Sequence, residues 1–198
     1  MRDDYAGYQH FKDAHHALCA AHLLRDLKGV HVADPDRQLW AEAMAQTLVF
    51  AHDAATKAVA AGQEHLDEQI LAEIMARYRD AAAKGVTENT GRVGSAAKDG
   101  LKLARRFRDK PHMILRFATD LNVPWTNNQA ERDVRPVKVQ QRTSGGCWRT
   151  LDGIADFAVV ISYLSTATKW GMDHAEVLQM LFTTGAWLPP GPEPTSSF

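Results

Sequence analysis

A mainly α-helical chain is what this sequence predicts, on three observations. Apolar residues recur at three- and four-residue spacing over most of its length. Glycine, proline and small polar residues stand where those runs stop. Strand signals are nearly absent, since only residues 16–21 read as a buried strand. One strand makes no sheet, so the chain is either all-α or a piece of an α/β protein whose other strands are missing. At 198 residues it is long enough to bury a real core.

Each element follows from local pattern. Over residues 36–61, Trp40, Met44, Leu48, Ala51, Ala55 and Ala58 form one helical stripe, and Gly62 follows as a stop. A second helix is expected over 63–84, with Leu66, Ile70, Ile74 and Tyr78 on one face and Gly85 as its stop. The third, over 92–108, is rich in Lys and Arg and ends before Pro111. Residues 110–121 read as helix through Met113, Leu115, Phe117 and Leu121. Residues 123–128 turn into a short helix that Pro136 should close, and 137–148, with Gly145–Gly146, read as strand-like or loop. A strong amphipathic helix covers 151–170. Asp173-His174-Ala175-Glu176 has capping-box spacing and opens a last helix to about residue 182. The proline-rich stretch 189–198 is expected to be a disordered tail.

Charge and composition exclude more than they select. The chain has 23 Lys and Arg against 24 Asp and Glu, so any nucleic-acid contact must come from local clustering rather than a global field. Cys19 and Cys147 offer no disulfide framework and fit a reducing cytoplasm. The acidic N-terminus lacks the apolar run of a secretory signal. The longest apolar stretch, 154–164, is interrupted by Asp156 and is too short to span a bilayer. A cytoplasmic protein with no membrane partner is the expectation.

The chemistry concentrates in residues 127–146. Glu131 falls in the first turn of a helix that Asn127 or Asn128 would cap, and Asn127, Glu131 and Arg135 share a face. A structural capping box with an arginine partner is the plain reading. Against it, Arg132, Arg135, Lys138, Arg142 and Arg149 crowd the carboxylate with only Asp133 opposing them, a density that suits phosphate contacts. The Ser144-Gly145-Gly146 turn would also let backbone N–H groups approach an anion.

This stretch, Asn127-Asn128-Gln129-Ala130-Glu131-Arg132 with Arg135-Pro136 downstream, closely resembles the insertion-sequence-sixty-six family of transposases. Asp3-Asp4-Tyr5-Ala6-Gly7-Tyr8, the run from His16 to Leu27, and Ser162 to Lys169 match as well, so the resemblance extends to about residue 190. It implies an RNase H-like α/β fold with a helical insertion, of which this chain would be the C-terminal part, the first strands missing. Residues 1–35 would end the RNase H-like core, 36–110 would be the insertion, and 111–188 would return to the core. Asp3 then matches the second catalytic aspartate and Glu131 the catalytic glutamate, while nothing matches the first aspartate. The departure suggests a truncated product, a mis-assigned start, or the remnant of a decayed element.

The implied activity is metal-dependent DNA cleavage and strand transfer in transposition. Asp3 and Glu131 would ligate Mg²⁺ (or Mn²⁺), since carboxylates are hard oxygen donors. Arg132, Arg135, Lys138 and Arg142 would contact DNA phosphates, with Asn127 and Asn128 positioning the helix. Partners would be DNA, at transposon ends and target, together with further copies or full-length transposase. The sequence also allows a non-catalytic DNA- or transposase-binding regulatory fragment. A zinc site on His15, His16, Cys19 and His22 is the weaker rival, because a strand would point alternate side chains to opposite faces. Trp40, Trp148 and Trp170 read as core or interface anchors. The run 105–110 reads as a solvated helix end, with DNA contact as the rival.

Overall fold

The computed structural model describes residues 1, 7, 10–11, 13–143 and 150–190. Among these residues there are helices and no strand. By contacts the chain divides into two compact units, Met1–Asn127 and Asn128–Phe198.

The first unit is built on four long helices. They are α1 (Ala20–Ala33), α2 (Leu39–Ala60), α3 (Glu68–Asn89) and α4 (Ser95–Asp109). Two single-turn pieces follow, α5 (Pro111–Ile114) and α6 (Arg116–Thr119). The stretch 110–121 is thus helical as expected, but broken at Leu115. α2 packs on α1 and α3, α3 packs on α4, and α4 returns to α1, which closes a ring around one core. The predicted stripe of α2 is buried throughout. Tyr78 on α3 donates its hydroxyl to the Phe107 carbonyl at 2.7 Å, and Trp40 meets the Phe107 ring edge-on at 6.4 Å.

Polar groups fix the register of this ring. Gln38, Asn89 and the Trp40 indole form a buried network in which Gln38 Nε2 donates to Asn89 Oδ1 at 2.6 Å. Trp40 Nε1 donates to Gln38 Oε1, also at 2.6 Å. Gly100 on α4 lets this network pass, since a Cβ there would lie 2.7 Å from Gln38 Oε1.

Two boundaries differ from expectation for local reasons. α3 starts later because Asp67 caps it, accepting from the N–H groups of Gln69 at 2.9 Å and Ile70 at 3.2 Å. It also runs on past Gly85, which is a contact residue rather than a stop: a Cβ there would stand 2.6 Å from Trp40 Cε3. The expected strand is a correction of a different kind. Ala17, Leu18 and Cys19 are buried and Cys19 is extended, yet the chain turns helical at Ala20. The backbone N–H of Leu18 donates to the Met113 carbonyl at 2.9 Å and that of Ala20 to the Trp125 carbonyl at 3.1 Å. Residues 17–20 are thus buried as the sequence predicts, but they lead into a helix rather than forming a strand.

The second unit holds α7 (Asn128–Thr143), α8 (Leu151–Lys169) and α9 (His174–Thr183), with α8 packed between the other two in contact order. Thr150 caps α8, accepting from the Gly153 N–H at 3.1 Å. Asp173 caps α9 as its spacing predicts, accepting from the N–H groups of Ala175 and Glu176. Tyr163 of α8 donates its hydroxyl to the Val177 carbonyl at 3.1 Å. Among the described residues of this unit, Ala167 and Val177 are the fully buried apolar positions. Residues 191–198, most of the expected tail, lie outside the described residues.

Candidate functional site

α7 carries most of the residues singled out above, and its course corrects the sequence reading. The helix does not close at Pro136 but contains it and continues to Thr143. Residues 137–143 are therefore helical rather than strand-like or loop, and 144–149 lie outside the described residues. Pro136 removes one backbone N–H from the ladder, a cost the flanking turns carry.

Continuation changes what the helix presents. At 100° per residue, Glu131, Arg135, Lys138 and Arg142 fall within about 40° of one line along the helix. Arg132, Arg135, Lys138 and Arg142 are exposed, and Glu131 is half-buried. From Glu131 to Arg142 the stripe is about 16 Å long at 1.5 Å per residue. One carboxylate thus heads a row of three cations, an arrangement stricter than the crowding seen in sequence. Arg132 stands off this line and donates to Gln129 Oε1 at 2.7 Å.

The opposite side of α7 is tied to α8. Asp133 accepts from Lys169 Nζ at 2.6 Å, from Gln129 Nε2 at 3.0 Å and from Ser165 Oγ at 3.1 Å. The Lys169 ammonium holds the Asp133 carboxyl below its ordinary range, with the Gln129 and Ser165 hydrogen bonds assisting. Asp133, expected to oppose the basic cluster, is instead spent on positioning α7. Val134 and Val137 line a groove beside it with Ala158 and Ile161 of α8. Ser165 and Lys169 lie in the run singled out by resemblance, but their pairing with Asp133, 32 and 36 residues away, was not legible because no local spacing connects them.

The remaining candidates fall out separately. Asp3 and its neighbour Asp4 lie outside the described residues, as do Ser144, Gly145, Gly146, Cys147, Trp148 and Arg149. Asn128 opens α7. Asn127 precedes the helix; its backbone N–H donates to Cys19 Sγ at 3.4 Å, and its Oδ1 is buried with no hydrogen-bond partner among the described residues. The cap expected from it is therefore not made through that oxygen. Among the described residues no three His, Cys, Asp or Glu side chains gather to hold a metal ion. His15 is exposed and Cys19 buried, so the zinc alternative finds no cluster there. Trp40 is a core residue, whereas Trp170 is 54% exposed and meets Trp187 edge-on at 6.4 Å. No helix among the described residues is long and apolar enough to cross a membrane.

A family model described as the transposase IS66 family matches residues 1–155. No curated protein and no solved structure matches the chain.

Proposed function

The chain belongs to the transposase IS66 family, and from that premise we propose that it forms the part of an RNase H-like DNA-cutting domain that presents Glu131 to DNA. The observation that carries the reading is the stripe on α7, with Glu131 at its head and Arg135, Lys138 and Arg142 in line behind it. In this reading the cations bind the phosphodiester backbone and fix its register, while Arg132 and Asn128 brace the same turn. Asp3 and Glu131 are the proposed ligands for Mg²⁺ or Mn²⁺, both being hard oxygen donors. When bound, such an ion would activate the attacking oxygen and stabilise the leaving one. These 198 residues supply two of the three carboxylates that the family pattern implies, so DNA binding without cleavage is expected of them.

The test uses the purified chain and a 30-base-pair duplex, with affinity measured by fluorescence anisotropy over a salt series in chelator. Arg135→Ala/Arg142→Ala should weaken binding and flatten the log–log salt slope by about 1.8, since each lost phosphate contact removes roughly 0.9. Glu131→Gln should bind more tightly in chelator, because a repelling charge leaves the stripe, and should lose any gain that Mn²⁺ gives the parent chain. A double variant with unchanged affinity and slope would take α7 out of the DNA interface. Specific cleavage that Glu131→Gln abolishes would show that two carboxylates suffice.

A further inference from the structure

The first unit is electrically lopsided. α1 and α4 together carry seven Lys and Arg against three Asp, whereas α2 and α3 carry four Lys and Arg against six Asp and Glu. Because α1 and α4 are packed neighbours, the surplus lands on one side of the ring. Between them lies a cleft of about 480 Å³, walled by Arg25, Asp26 and Gly29 from α1 and by Asp99, Lys102 and Arg106 from α4. Arg106 donates to Asp26 at 2.7 Å and pins the two helices together at this wall. Arg25 and Lys102 are exposed and make no ion pair among the described residues. Gly29 has nothing within 4 Å of its Cβ position, so the α1 wall is open to an approaching ligand.

We infer that the α1–α4 cleft is a second contact for the sugar-phosphate backbone of DNA, carried by the first unit alone. The acidic groups on the walls are neutralised or outnumbered, since Asp26 is engaged by Arg106 and Asp99 shares the α4 wall with Lys102 and Arg106. A backbone contact needs no base-specific donor pattern, and none is present; the site offers flexible cations at an open groove. The inference rests on DNA being the partner of the family, but not on α7.

Four proteins decide it: the parent chain, Arg25→Ala/Lys102→Ala, Arg135→Ala/Arg142→Ala, and the quadruple variant, each checked for unchanged thermal melting. All are titrated with the same 30-base-pair duplex across a salt series. The cleft variant should lose at least threefold in affinity at low salt, with the salt slope lower by about 1.8. Arg25→Lys/Lys102→Arg should restore both, because charge rather than shape is at issue. Parental affinity and slope in the cleft variant overturn the inference, whatever the α7 variant does. Loss in the cleft variant with no loss in the α7 variant upholds it and overturns the α7 reading instead. If the parent chain does not bind the duplex, both fall.

Discussion

At the scale of single residues, the informative ones are those whose neighbours come from far along the chain. Gly85 reads in sequence as a helix stop, since glycine follows a helical stripe there, yet it is the point where α3 meets the Trp40 indole. Gly85→Ala should destabilise the first unit by about 1–3 kcal/mol through overpacking, measurable as a lowered urea midpoint with an unchanged slope. An unaltered midpoint would mean that Trp40 shifts freely. Asp133 behaves in the same way: it reads as the lone acid in a basic cluster, and its function is set by Lys169. With its folded pKa depressed by that ammonium, Asp133 adds stability that is complete above the ordinary carboxylate value of about 3.9 and is lost as pH falls through the lower folded value. Amide protection in α7, taken relative to the intrinsic exchange rate at each pH, should therefore fall between about pH 4 and the acid limit, and Asp133→Asn should lower it already at neutral pH. A variant with the parental profile would relieve Asp133 of this role.

At the scale of elements, helices with an apolar stripe were legible, as was the Lys- and Arg-rich α4, whereas the full length of α7 was not. The stripe of α2 and the cap of α9 follow from local spacing, because burial imposes a period and capping needs only neighbouring N–H groups. α7 has no such stripe and contains a proline, so propensity argued for ending it at Pro136. What holds it is the side facing α8, where Asp133, Val134 and Val137 meet residues more than twenty positions away. Pro136→Ala should restore a ladder hydrogen bond and raise amide protection across α7 without altering the stripe. A gain of up to about 3 kcal/mol in local opening free energy is the ceiling set by proline in a helix interior. Reduced protection would imply that the proline stabilises a bend the helix needs. Local spacing already put Arg135 on the face of Glu131, but Lys138 and Arg142 joined that line only with the helix complete.

At the scale of the whole molecule, the two units differ in how much they bury. The first has a ring of aromatic and aliphatic side chains with a satisfied polar network at its centre. The second leaves Leu151 85%, Val159 68% and Phe182 84% exposed. Native-state hydrogen exchange should show slow exchange through α2, α3 and α4 and fast exchange through α7, α8 and α9. Equal protection in both units would contradict this division. The lopsided charge of the first unit has a consequence for the chain as a colloid. With a net charge of −1 at pH 7 and a pI near 6.8, long-range repulsion between molecules is almost nil, and short-range attraction between the basic side of one ring and the acidic side of another is left unopposed. Added salt should then disperse the protein where it would crowd a uniformly charged one. At pH 7 its second virial coefficient should climb from negative values as sodium chloride rises from millimolar to about 0.2 M, and solutions clouded by dialysis into water should clear.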